Sequence, residues 1–286
     1  MKIQHFFDET TNTLTYLVYD ESSHDSVIID PVLNFDYASG AIETHQVQSL
    51  AEFVQTHHLV LHYILETHLH ADHLSSAAYL KRQFPAAKIL IGKRVTSSQK
   101  TFSGIFNFPK SFATDGSQFD KLLDDNEIVQ AGCLKIQAIK TAGHTPCSLS
   151  YLINDQAIFT GDALFMPDYG TGRCDFPGGD ATQLYRSINE NIYQLPEHIQ
   201  VFVGHDYLPG GRSLLFQSTV AEEKKSNVHL SSQSSELDFV NMRQARDKKL
   251  SPPKLLYPSL QVNMCAGNLP DPEENGVSYL KVPLKI

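Results

Sequence analysis

The chain has 286 residues, 41% of them hydrophobic and 19% charged, the composition of an ordinary globular protein with enough length to bury a substantial core. A formal charge of −9, with no basic block or basic aromatic stripe to offset it, argues against a nucleic-acid partner and an anionic membrane surface. No apolar run approaches the roughly 20 residues that span a bilayer, and the quickly acidic opening from Met1 to Glu9 lacks a signal core, so a cytoplasmic location is expected. In chain order, strand-like runs fall at 13–19, 26–30, 63–67, 88–91, 134–140, 148–153, 157–160 and 200–203. Helix-like runs fall at 47–59, 74–84, 181–195 and about 236–248. The loop-rich stretch 92–125 reads as a lid, a substrate wall or a surface excursion, and 226–235 as a polar connection. From Pro252 onward six prolines predict a tail, about 250–286, that wraps the body of a single domain spanning 1–286. Four well-separated cysteines without a CxxC pair suit free thiols better than a disulfide framework or a zinc finger. Cys174 lies in a Gly-rich segment, where it faces the site or is a small buried thiol.

The chemistry concentrates in His68-Leu69-His70-Ala71-Asp72-His73, three imidazoles and a carboxylate within six positions. They follow a strand-like run and precede a helix-like one, the usual place for a site in an α/β sheet. If His68 and His70 continue the strand, alternation places both on one face, with Asp72 and His73 at the helix start. Neutral imidazole with carboxylate suits zinc, iron or manganese rather than calcium. Three more segments bring a ligand type to the end of a strand: His144 in Gly143-His144-Thr145-Pro146, Asp162 after Thr160-Gly161, and His205 after Gly204. The other eight of the thirteen histidines have no such neighbours and read as structural or exposed.

The ordered set HxHxDH, His144, Asp162 and His205 resembles the metallo-β-lactamase superfamily over nearly the whole chain. That resemblance implies an α/β fold, a four-layer αββα sandwich with the site at one edge of two facing sheets. In dinuclear members one metal takes the counterparts of His68, His70 and His144. The second takes Asp72, His73 and His205, with Asp162 bridging. The flanks are similar to the persulfide dioxygenase branch, close to glyoxalase II: Glu66-Thr67 before the motif, Gly172-Arg173-Cys174-Asp175-Phe176, His205-Asp206-Tyr207, and Asn263-Met264 with Gly267 near the end.

The branch resemblance implies one Fe(II) held by His68, His144 and Asp162, a two-His-one-carboxylate face, with His70, Asp72, His73 and His205 around it. The expected reaction oxidises a glutathione-type persulfide with O2 to sulfite and thiol. Arg173 would grip a substrate carboxylate, or pair structurally with Asp175 or Asp180; Tyr207 would donate a hydrogen bond to substrate. The alternative enzyme is a glyoxalase II-like hydrolase with two Zn(II), for which all seven ligand types are present. A metal-dependent sulfur sensor without turnover is a third reading. A homodimer is expected from base rates alone.

Overall fold

The computed structural model describes residues 1–284. The chain begins with an antiparallel meander of β1 (Lys2–Asp8), β2 (Thr13–Tyr19) and β3 (Asp25–Ile29), then a small hairpin, β4 (Val32–Asp36) with β5 (Ala41–Glu43). Helix α1 (His45–Thr56) leads to β6 (Val60–Leu65); after the histidine-rich loop come β7 (Leu74–Ser75), α2 (Ala77–Gln83), β8 (Lys88–Gly92), α3 (Val95–Ile105) and β9 (Lys121–Leu123). The second half runs β10 (Ile128–Ala131), β11 (Leu134–Lys140), β12 (Leu149–Ile153) and β13 (Ala157–Phe159), then α4 (Ala181–Ser187), which continues as a π-helical turn at Ile188–Ile192. It closes with β14 (Gln200–Phe202), β15 (Gln217–Thr219), α5 (Val220–Ser226), α6 (Glu236–Asp247) and α7 (Leu256–Asn263).

Two six-stranded sheets result, in the orders β1-β2-β3-β6-β8-β9 and β10-β11-β12-β13-β14-β15. Strand alternation explains how they stack. Leu14, Tyr16 and Val18 of β2 point into the core shared with Ile136, Ala138 and Tyr151 of the second sheet. Leu17, Ile28 and Ile64 point the other way, into a second core with α1, α2, α3 and α7. Helix α1 fits there because Val47, Leu50, Ala51 and Val54 recur at helical spacing and are buried together. Leu184 of α4 and Phe239 of α6 close the outer face of the second sheet, which completes the αββα sandwich. Side-chain caps start α4, α5 and α6, from Asp180, Thr219 and Ser235.

Several expectations are corrected. The run at 74–84 opens as the short strand β7, and the helix begins only at Ala77, so Asp72 and His73 do not sit at a helix start. The stretch 92–125 is no lid: α3 and β9 lie within it, with Val95 and Phe102 buried in the helix-side core. The prolines after 252 hide a helix, since α7 is buried along most of its length and packs against β7. Among the described residues, no helix is long and apolar enough to cross a membrane.

Candidate metal centre

Strands β3 and β6 run parallel, as do β13 and β14. Their carboxyl ends therefore leave the sandwich on the same edge, where Asp30, His68, Asp162 and His205 follow. The turn between β11 and β12 adds His144. Donor atoms of His68, His144 and Asp162 lie within 4.8 Å of one another, all three residues buried.

The imidazoles of His68, His144 and His205 are each aimed by a hydrogen bond at the far side of the ring. Thr67 donates its backbone N–H and its hydroxyl to the two oxygens of Asp30, both at 2.7 Å. With its only hydroxyl proton committed, Thr67 Oγ1 accepts from His68 Nδ1 at 3.0 Å. That leaves His68 Nε2 as a buried lone pair with no partner. Burial also lowers the pKa of His68, with the His70 charge adding to it, which keeps the ring neutral. His144 donates from Nδ1 to the Arg173 carbonyl at 2.6 Å, turning Nε2 toward Asp162 Oδ2, 3.5 Å away. His205 donates from Nδ1 to the Asn12 carbonyl at 3.1 Å; its Nε2 lies 3.2 Å from Asp162 Oδ1 and 3.3 Å from Asp72 Oδ2. Burial opposes charge on His205, yet Asp162 and Asp72 raise its pKa to about 9.

His70 lies against His68, ring centres 4.0 Å apart, but its Nε2 faces carboxylates. The strand ends at Leu65, so residues 66–73 do not keep an extended alternation. His70 Nε2 instead sits 3.0 Å from Asp30 Oδ1 and 3.4 Å from Glu66 Oε2. Burial disfavours its charged form, but the two carboxylates overcome this and hold its pKa well above the ordinary value. Asp72 and His73 pair with each other at 3.1 Å, and donor atoms of both lie within 4.8 Å of one on His70. Asp30 escaped the sequence reading, although Ile29-Asp30-Pro31 at a strand end was a visible signal, and Glu66 entered it only as a flank of the motif.

The buried atoms His68 Nε2, His70 Nδ1 and His73 Nε2 have no hydrogen-bond partner and are costly to bury so, while His205 Nε2 has only the Asp162 and Asp72 carboxylates beside it. A divalent cation would answer that cost, and neutral nitrogen with carboxylate oxygen fits iron or zinc. The site opens into a cleft of about 1450 Å³ that Asp72, His144 and Asp162 help to line. One wall is an aromatic ladder in which Tyr207 stacks on the His205 ring at 5.6 Å and on Tyr169 at 4.7 Å. Tyr169 in turn carries the Arg246 guanidinium, 5.8 Å from its ring centre. Arg173 reaches the cleft but is engaged on every face, by Asp175 through Nε and Nη2 and by the Ser251 carbonyl through Nη1. Cys174 is buried, its thiol pKa pushed up by burial, and its backbone N–H is bound by Asp247.

The family model described as the metallo-beta-lactamase superfamily matches residues 9–205. A probable metallo-hydrolase of Burkholderia pseudomallei is 48% identical over 99% of this chain and 99% of its own length. Glyoxylase B2 of Dictyostelium discoideum is 44% identical, with 99% and 97% covered. The mitochondrial persulfide dioxygenase ETHE1 of Bos taurus is 32% identical over 80% of this chain and 75% of its own. Among solved structures, ETHE1 from Myxococcus xanthus superposes with a TM-score of 0.74 at 30% identity, covering 94% of this chain and 100% of that one. The chain belongs to the metallo-beta-lactamase superfamily, and within it its resemblance runs to the persulfide dioxygenase branch.

Proposed function

We propose that this chain is a mononuclear non-haem iron enzyme that oxidises a low-molecular-weight persulfide of the glutathione type. One observation carries the reading: donor atoms of His68, His144 and Asp162 converge within 4.8 Å, a set that does not include His70, whose Nε2 faces Asp30 and Glu66. A three-histidine zinc site would draw on the unpartnered Nδ1 of His70 as well; a two-His-one-carboxylate face does not. The likeness to ETHE1 proteins supports the same choice.

Bound at this face, Fe(II) would supply open positions for sulfur and dioxygen and the redox chemistry between them. The overall reaction is RSSH + O2 + H2O giving RSH + SO3²⁻ + 2H⁺; the outer sulfur loses four electrons and dioxygen gains them. The residues provide direction and charge. Thr67 and the Arg173 carbonyl hold the two imidazoles with Nε2 toward the centre. Asp72 and Asp162 hold the His205 ring between them, and Tyr207 walls the approach. With Arg173 committed to Asp175, the cleft-lining cations that make no ion pair among the described residues are Arg246 and Lys254. These two are the groups to receive a carboxylate of the persulfide carrier.

The hydrolase reading is favoured by a different observation: Nδ1 of His70 and Nε2 of His73 are also unpartnered and buried, and two of the relatives carry hydrolase-type names. Oxygen uptake by anaerobically iron-loaded protein, on addition of glutathione persulfide, separates the two. Uptake matched by sulfite is expected. No uptake at verified iron loading, together with thioester hydrolysis by the zinc-loaded protein, would replace this proposal with the hydrolase.

A further inference from the structure

Arg243 is the largest fully buried side chain among the described residues, with 1% of its surface exposed. Its charge is answered by one carboxylate, Asp247, a helical turn later on α6. Nε and Nη2 of Arg243 donate to Asp247 Oδ1 at 2.9 and 2.6 Å. The remaining groups of the pair reach across to one short piece of backbone. Arg243 Nη1 donates to the Thr171 carbonyl at 2.9 Å, and Asp247 Oδ2 accepts the Cys174 N–H at 2.8 Å. The pair thus grips residues 171–174 at both ends.

Between those grips lie Gly172 and Arg173. The Arg173 carbonyl is the acceptor that fixes His144 Nδ1, and Gly172 packs so closely that a Cβ there would stand 2.0 Å from the Asp162 carbonyl oxygen and 3.3 Å from His144 Nδ1. A displacement of this segment would therefore move the His144 ring. A purely stabilising role for the pair is the competing explanation. Burying two charges costs several kcal/mol of hydration, however, and apolar pairs of similar volume often stabilise a core as well or better.

We infer that Arg243 and Asp247 are positioning residues, a buried clamp that sets the direction and tautomer of His144 through the Arg173 carbonyl. The inference rests on His144 serving as a metal ligand and is independent of which reaction follows. It extends the site by two residues from α6, nearly 100 positions away from His144 in sequence (243 − 144 = 99).

The test replaces the clamp by apolar groups, Arg243→Met with Asp247→Leu, and reads Co(II) affinity by competition with a chelator alongside the Tm of the metal-free protein. The expected result is a Tm within a few degrees of the parent and an affinity weaker by about 10- to 100-fold, the usual size for lost orientation of a ligand histidine. Affinity within twofold of the parent would overturn the inference, whatever the Tm. Should the double variant not fold, Arg243→Lys takes its place: it keeps the charge but removes the planar fork that spans Asp247 and the Thr171 carbonyl. Unchanged Co(II) affinity in that variant would overturn the clamp; a loss of affinity in a protein that melts near the parent would support it.

Discussion

Removing His144 and removing Asp72 are unequal injuries under the proposed mechanism. His144→Ala deletes one of the three converging groups and is expected to abolish both iron retention and oxygen uptake. Asp72→Ala leaves those three groups in place, so iron should stay bound and turnover fall by about 10- to 100-fold. Complete loss in both variants, from a parent that binds two metals per chain, would sink the mononuclear reading. Gly172→Ala probes the same centre by volume rather than ligation. Its Cβ would collide with the Asp162 carbonyl oxygen at 2.0 Å, so metal affinity should drop in a protein that still folds. On the cleft wall beside Tyr169, Arg246→Ala should raise KM for glutathione persulfide by about 10-fold, roughly the loss of one charged hydrogen bond, with kcat kept. The same substitution should leave KM unchanged for a persulfide without carboxylates. Equal effects on both substrates would take Arg246 out of recognition.

At the scale of elements, the metal loop is held by a helix from the other end of the chain. Asn263, in the last turn of α7, donates from Nδ2 to the carbonyls of His70 and His73, both at 2.9 Å, and accepts the Ser75 N–H at 2.8 Å. Asn263→Ala would strand three buried backbone groups, at about 1–3 kcal/mol for each one left without a partner. A fall of several degrees in Tm with weakened metal binding is the expected outcome. A variant that melts and binds like the parent would show that α7 only covers the core. The segment 170–174 is pinned in a comparable way: Asn227 Nδ2 holds the Gly170 carbonyl at 3.1 Å and His229 Nδ1 accepts the Thr171 N–H at 3.0 Å.

Across the whole molecule, stability carries a pH dependence that is separate from the metal. Glu223 is fully buried at the start of α5, bonded to Ser218 Oγ and Asn227 Nδ2, and burial pushes its pKa up to about 7. The folded state therefore holds a proton on Glu223 that the unfolded chain releases near pH 4.5. Between those values the folded state binds more protons, so this group's contribution is full at acid pH and declines as pH rises through 7. The decline amounts to about 3 kcal/mol at most. Glu223→Gln removes the charge while its amide oxygen accepts from Asn227 Nδ2 and its NH2 donates to Ser218 Oγ, and should raise Tm relative to the parent at pH 8 but not at pH 5. A Tm difference of equal size at the two pH values would show that Glu223 is not the titrating group. Metal addition should raise Tm with concentration and chelation lower it, because a cation bound only to the folded state stabilises it by mass action.

The sequence alone was enough for the αββα architecture and for the seven motif residues, but not for Asp30 and Glu66 beside them. Runs such as 134–140 coincide with a strand residue for residue, because alternation of apolar side chains is a local property that a sheet cannot ignore. The seven motif residues lie where strand ends bring them together, since parallel strands deliver their carboxyl ends to one edge. Short polar or edge strands such as β4, β5 and β7 left no such trace, being too brief for a period to register. Nor could the sequence say which way a ring turns. His68 and His70 are two residues apart and chemically identical, yet His68 is held through Nδ1 by Thr67 while His70 turns its Nε2 to Asp30 and Glu66. That difference, like the grip of Arg243, Asp247 and Asn263 on the loops around the centre, depends on hydrogen-bond partners far away in the chain. Only packing of the complete sandwich brings those partners within reach.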